Sequence, residues 1–287
     1  MPTTASGKRF SRLVLTGAAG RLGSHLREPL TALCDELVST DKVDDIGKLY
    51  PGERYEAADL SDLAAMTEVL EDADMVVHFG AIGDEAPFDD ILKSNILGAY
   101  TVWEAARVNG LRRVVYASSI HVVGMYDRTE RVGTDAPHRP DTFYGLAKCF
   151  AEDLGSLYWD KHQLESVCLR ILSCAQVTSA RALGSWLSTG DLIQLVERSL
   201  DTPTVKHTIV YGVSNNDRVP VDNSSAAFLG YRPKDNAEQF AAEILAKEHE
   251  QSLDDPANLY QGGPFAVVEP GSSGLALMDI VDDTKQL

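Results

Sequence analysis

The stretch "LTGAAGRLGSHL", residues 15–26, constrains the chain most: an apolar run, "RLVLT" at 12–16, passes straight into a helical pattern through three glycines spaced three apart. Gly17 permits the tight turn, Gly20 lets backbone approach a pyrophosphate at a helix N-terminus, and Gly23 lets that helix lie against the strand. Ala19, Arg21 and Leu22 fill the same loop and join the expected cofactor contacts. Asp41 ends the second strand pattern, "ELVST" at 36–40, close to the spacing at which an acid binds a ribose 2′-hydroxyl. A carboxylate there repels the 2′-phosphate of NADP, so NAD is the expected cofactor, although Lys42 and Arg21 are cations able to turn toward a phosphate.

The same alternation continues. Apolar runs recur at "DMVVHF" (74–79), "RVVYAS" (113–118) and "SVCLRI" (166–171), with a further candidate strand "RYEAA" at 54–58. Helical patterns separate them at 61–71 with Ser61 as cap, at 88–109 ended by Gly110, and at 143–162 capped by Asp141 or Thr142. Continuous apolar strands alternating with helices predict an α/β chain with a Rossmann-like, doubly wound parallel sheet. Residues 10–172, joined by 205–235, are expected to form the dinucleotide-binding core, leaving 173–204 and 236–287 as a small substrate-binding and C-terminal part that ends in the tail "LALMDIVDDTKQL". On this frame Asp59 and Leu60 follow the third strand and are expected at the adenine edge, unless Asp59 only caps a helix, and Gly80 ends the fourth strand beside the cofactor.

Composition narrows the partners. With 43 acidic against 26 basic residues the formal charge is -17, which disfavours nucleic acid. No run approaches the roughly 18 apolar residues of a membrane span, and the start "MPTTASGKRFSR" has no apolar run behind its basic residues, so a cytoplasmic protein away from membranes is expected. Cys34, Cys149, Cys168 and Cys174 show no metal-ligand pairing and read as reduced structural thiols; no metal site is expected.

Chemistry enters at "FYGLAK", 143–148, where Tyr144 and Lys148 stand four apart and share one helix face. Ser118 and Ser119 end the "RVVYAS" strand at its carboxyl edge, where open α/β sheets place their ligands. A serine hydroxyl, a tyrosine hydroxyl and a lysine beside a nicotinamide make a site for oxidising an alcohol. A tyrosine acting as base near neutrality needs a shift of about 3 units, and an ammonium about 4 Å away can supply on the order of 4 kcal/mol toward it. His78 is expected to be a structural histidine, and Cys174 has no base beside it in sequence that would make it a nucleophile.

In their order, "TGAAGRLG", "ADL", "VVHFGA", "SNILGAY", "YASS" and "YGLAK" resemble the extended short-chain dehydrogenase/reductase superfamily. The resemblance implies Ser119, Tyr144 and Lys148 as the catalytic set, with Asn95 either completing a proton relay or serving structure. More narrowly, "VVYASSIHVVGMY", "RPDTFYGLAKCFAEDLGSLY", "LRILSC", "WLSTGDL", "YGVSNND", "DNSSAAFLGYRPKDNAE" and "YQGGPF" are similar to the uronate dehydrogenases. Those enzymes oxidise C1 of a hexuronate to a lactone with NAD. That similarity implies substrate contacts at Ser119, His121, Ser173 and Arg181, the last suited to a carboxylate by its planar fork. Two positions depart: Ile120 stands where that family has asparagine, and Gly83 where it has serine. Each loss removes a sugar-facing hydrogen bond and can change which sugar is preferred.

The resulting expectation is an NAD-dependent 1-dehydrogenase of an acidic sugar, working as a homo-oligomer on a small molecule. Two alternatives share the fold: a nucleotide-sugar epimerase or dehydratase with tightly held NAD, and an NAD-binding regulator without catalysis.

Overall fold

The computed structural model describes residue 4, residues 6–247 and residues 255–277. Beyond Leu277 the tail "MDIVDDTKQL" lies outside the described residues. The strands are β1 (Phe10–Thr16), β2 (Cys34–Asp41), β3 (Glu53–Ala57), β4 (Met75–His78), β5 (Arg113–Ser119), β6 (Val132–Gly133), β7 (Glu165–Ile171), β8 (His207–Gly212) and β9 (Val221–Asp222). Seven of them form one parallel sheet in the order β3-β2-β1-β4-β5-β7-β8, while β6 and β9 pair separately. The order reverses at β1 and β4, and the carboxyl ends there open the crevice in which such sheets bind ligands.

The helices are α1 (Arg21–Thr31), α2 (Leu63–Val69), α3 (Phe88–Ile91), α4 (Gly98–Val108), α5 (Phe143–His162), α6 (Ala182–Ser185), α7 (Thr189–Asp201), α8 (Ala241–Lys247) and α9 (Pro256–Leu259). Apolar residues of both sheet faces are buried because helices cover each. Leu13, Leu15 and Val115 pack with Leu26 and Leu30 of α1 and Leu192, Leu195 and Val196 of α7. On the other face Val14, Val76 and Val114 pack with Met66, Val102, Trp103 and Leu154.

Three expectations change in detail. The second helix begins at Leu63, because Asp62 and not Ser61 accepts from the backbone N–H groups of Ala64 and Ala65. The run from 88 to 108 is not uniform: a π-helical stretch, Leu92–Leu97, separates α3 from α4 and contains Asn95. Finally, α7 lies in the stretch expected on the substrate side, yet its apolar stripe is buried in the sheet core beside α1. The stripe's spacing was present in the sequence, but whether it met sheet or substrate lobe was a tertiary question.

Buried ion pairs fasten the centre. Glu152 of α5 receives Arg170 of β7 at 2.8 Å, Ser118 of β5 at 2.6 Å and His138 at 3.2 Å. Burial alone would raise that carboxyl, but hydrogen bonds from His138, Arg170 and Ser118 hold it below the ordinary glutamate range. This clamp fixes α5, and with it the Tyr144–Lys148 face, against the ends of β5 and β7.

Candidate active site

The first turn of the fold is built from backbone. Gly17 has a φ of +72°, and a Cβ there would lie 2.5 Å from the amide nitrogen of Gly80. A Cβ on Gly23 would lie 2.0 Å from the carbonyl oxygen of Gly17, so α1 starts in direct contact with the loop. Gly20 caps α1 without a side-chain hydrogen bond, and no acidic residue occupies the first turn. The helix therefore presents uncompensated N–H groups and a positive dipole end, which suit a pyrophosphate.

One cleft of about 1470 Å³ runs from this loop to the C-terminal segment. Its walls bring together Gly17, Ala19, Gly20, Arg21, Leu22 and Gly23 with Gly83, Ser119, Ile120, His121, Tyr144, Lys148, Ser173 and Arg181. Asp41, Asp59, Leu60, Gly80 and Asn95 do not line it. Asp41 accepts from the N–H of Ala19 at 3.0 Å and of Lys42 at 2.7 Å, so it braces the glycine loop from the side. Asp59 accepts from the Ser61 N–H and hydroxyl, both at 2.9 Å, and pairs with Lys93 at 3.2 Å. Leu60 and Gly80 pack against each other: a Cβ on Gly80 would approach Leu60 Cδ1 to 2.6 Å. Asn95 Oδ1 accepts from Ile82 N at 2.9 Å and its Nδ2 donates to Ile82 O at 3.0 Å, which commits the side chain to holding the loop before Gly83.

At the centre, Tyr144 stands in the first turn of α5, whose N-cap is Thr142. Its side chain lines the cleft together with Ser119 at the end of β5. Lys148, one turn on, is buried, donates from Nζ to Ala117 O at 2.7 Å and lies 5.3 Å above the Tyr144 ring. The expectation that Lys148 lowers Tyr144 does not hold for the chain alone. Burial pushes Tyr144 up to about 12, against a smaller lowering influence of the Ser119 hydroxyl, and burial pushes Lys148 down to about 7. Enclosure disfavours phenolate and ammonium alike, and the charges of Asp141 and Asp84 add to the rise of Tyr144.

His121 is held by Asp141, Nδ1 to Oδ2 at 2.8 Å, stacks on Phe265 at 4.2 Å and meets Tyr144 edge-on at 5.7 Å. Asp141 itself fills space that only glycines leave, since a Cβ on Gly124 or Gly262 would come within 2.1 or 1.8 Å of its Oδ2. Arg181 reaches the carbonyls of Tyr260, at 3.1 Å, and of Gln261. Burial and neighbouring Arg128 bring Arg181 down to about 10, which leaves it cationic at neutrality. Arg21 donates to Cys174 O at 2.8 Å and so ties the glycine loop to the Ser173 turn.

The family model of the NAD dependent epimerase/dehydratase family matches residues 13–176, from the glycine loop through the Tyr-Lys helix to the Ser173 turn. The chain belongs to that family. Similarity beyond the NAD-dependent epimerase/dehydratase core is extensive. A uronate dehydrogenase of Pseudomonas putida is 46% identical over 91% of this chain and 97% of its own. The solved glucuronic acid dehydrogenase of Chromohalobacter salexigens superposes with a TM-score of 0.88 at 43% identity, covering 91% of this chain and 98% of that one. A mutant uronate dehydrogenase of Agrobacterium tumefaciens, solved with NAD, gives a TM-score of 0.86 at 39% identity over 90% and 98% of the two chains.

NAD is the cofactor, and the loop fits it: a cradle that side chains would fill, at an uncapped helix end. His78, as expected, is structural; it bonds Thr16 at 2.7 Å, packs against Trp103 and Tyr116, and is lowered to about 3 by burial. All four cysteines are free, and burial raises each thiol. Among the described residues no helix is long and apolar enough to cross a membrane, and no cluster of metal-ligating side chains occurs. The sequence reading missed Asp141 as the partner of His121, Phe265 as its stacking wall, and the carboxylates Asp84 and Glu85. "YQGGPF" carried Phe265 in view; a partnership between positions 121 and 141 leaves no periodic trace.

Proposed function

We propose that this protein is an NAD-dependent hexuronate 1-dehydrogenase that oxidises the C1 hemiacetal of a sugar such as glucuronate or galacturonate to the lactone. The observation that carries the proposal is the single cleft whose walls bring together the glycine loop, the side chains of Ser119, Tyr144 and Lys148, and cationic Arg181. The uronate dehydrogenase relatives, similar over nine-tenths of the chain, support the same substrate class.

Gly17, Ala19, Gly20, Arg21, Leu22 and Gly23, which line the cleft, would hold the dinucleotide, and Asp41, which braces the loop through the Ala19 N–H, would take its ribose hydroxyls. Bound NAD supplies the acceptor for the C1 hydride. Ser119 orients the C1 hydroxyl, and the Tyr144 oxygen takes its proton as the C1–H bond breaks. Burial favours neutral Tyr144, so its phenolate forms when positive charge enters the cleft; one unit charge at about 4 Å is worth ~4 kcal/mol, or about 3 units of pKa. Lys148, whose Nζ lies 5.3 Å from the Tyr144 ring, would steady that phenolate and bind the ribose. Arg181 pairs with the sugar carboxylate, while His121 and Ser173 contact the ring hydroxyls. The substrate is a small sugar acid, and neither nucleic acid nor membrane enters the scheme.

Leu146, Phe150 and Leu157 of α5 are exposed apolar residues, as are Leu92, Leu97 and Tyr100 on the neighbouring run, which supports a homo-oligomer. Four unpaired thiols support a cytoplasmic setting.

The test is reduction of NAD, then NADP, with a panel of uronates, neutral aldoses and other anionic sugars. Rapid reduction of NAD on a hexuronate is expected, rising with pH through the neutral range because phenolate is the competent form. Tyr144→Phe should lower kcat by about 10²–10⁴ and leave NAD affinity within about twofold. Near-normal turnover in that variant, or silence of the wild type on every uronate, would refute the proposal.

A further inference from the structure

One carboxylate serves two parts of the cleft that are far apart in sequence. Glu85 is 2% exposed; its Oε2 accepts the backbone N–H of Tyr144 at 2.7 Å, and its Oε1 accepts the N–H of Gly271 at 2.8 Å. Gly271 opens a strap, residues 271–276, whose Ser273, Leu275 and Ala276 line the cleft. Adjacent Asp84 holds the rest of that strap through the N–H groups of Gly274 at 2.8 Å and Leu275 at 3.1 Å, and through the Ser273 hydroxyl. Beneath the strap, a Cβ on Gly274 would lie 2.6 Å from the Phe265 ring, which is itself stacked on His121.

The two acidic residues thus share the strap but not the helix. Asp84 touches the strap and its own neighbour's N–H, at 2.8 Å, whereas Glu85 alone reaches the first turn of α5. A carboxylate suits that post. It offers two acceptor oxygens for two buried N–H donors, and its charge is favoured at a helix N-terminus. Glutamine has one acceptor oxygen, so it leaves one donor unserved.

We propose that Glu85 is a positioning residue for Tyr144, holding the tyrosine in register with the 271–276 strap so that the base is aligned with the wall of the cleft that the strap builds. The proposal rests on the reading of Tyr144 as the proton acceptor. Glu85 does not meet the reacting atoms; it acts through the backbone of the residue that does.

Glu85→Gln and Asp84→Asn separate alignment from strap docking. With a hexuronate and NAD, Glu85→Gln should lower kcat about tenfold or more with NAD affinity within about twofold, the loss expected for one charge-assisted hydrogen bond. Asp84→Asn, which also removes a negative charge that helps hold the Tyr144 pKa up, should raise the sugar KM without lowering kcat. The Tyr144 amide resonance, followed with ¹⁵N-tyrosine, should move upfield in Glu85→Gln and stay in place in Asp84→Asn. Parallel KM effects in both variants with unchanged kcat would reduce Glu85 to a strap clasp and overturn the proposal. Wild-type silence on uronates would overturn the functional reading instead; the amide resonance still tests the positioning, and an unmoved Tyr144 signal in Glu85→Gln overturns it.

Discussion

The glycine-loop wall of the cleft comes from one contiguous stretch and is made largely of backbone, whereas the sugar wall is assembled from side chains scattered between residues 83 and 276. The first wall depends on what is missing: Cβ atoms at Gly17 and Gly23 and a capping side chain at Gly20. The second depends on pairs formed at long range, such as His121 with Asp141, Arg181 with the 260–261 carbonyls, and Glu85 with Tyr144 and Gly271. A backbone device tolerates little variation and fixes a cofactor shared by many activities. Side-chain pairs can be exchanged singly, and substrate choice resides there.

If that contrast is right, the largest effect belongs to the backbone wall. In Gly23→Ala the new methyl would meet Gly17 O at 2.0 Å and Gly17 C at 2.8 Å, both backbone atoms that cannot swing aside. Moving α1 off the loop should cost ~1–3 kcal/mol and weaken NAD binding by up to about a hundredfold, measured by calorimetric titration. NAD affinity within twofold of wild type would break the comparison, because the loop would then be adjustable after all.

Legibility in the sequence follows the same division. The glycine spacing, the strand–helix alternation and the Tyr144–Lys148 interval are local, and the order of the sheet follows from them with few alternatives. Asp59, Leu60 and Gly80 follow from local order and Asn95 from the family resemblance; in the folded chain all four brace the loops around the cleft. The charge states at the centre were not legible: proximity of Lys148 to Tyr144 argued for a lowered phenol, and only the enclosure of both groups reverses it. Asp141 could be named as a possible helix cap, but Thr142 takes that role and frees Asp141 for His121.

A middle-sized effect sharpens the sugar side. Arg181 both lines the cleft and holds the carbonyls of Tyr260 and Gln261, so its removal has two consequences that one substrate cannot separate. Arg181→Ala, assayed on a uronate and on the corresponding neutral aldose, does separate them. Loss of a carboxylate partner should raise the uronate KM by about ten- to hundredfold and leave the aldose nearly unaffected. Equal loss on both sugars would make Arg181 a clasp for the C-terminal segment and would move carboxylate recognition elsewhere in the cleft.

The smallest effect distinguishes the two positions at which the chain departs from the uronate dehydrogenase pattern. Ile120 is 6% exposed and packs in a cluster with Val122, Val123 and Tyr211, so it serves core and cleft together. Gly83 is different: a Cβ there meets nothing within 4 Å, although the residue lines the cleft. Gly83→Ser should therefore leave the melting temperature within about 2 °C, since nothing is displaced and no core is disturbed. Its hydroxyl should change the ratio of kcat/KM between two epimeric uronates by about two- to fivefold, the scale of one exposed hydrogen bond. A melting temperature that falls well below this limit would show that the open space at Gly83 is needed by the fold. A ratio that stays fixed would place the sugar beyond reach of position 83 and leave Ile120 as the departure that bears on specificity.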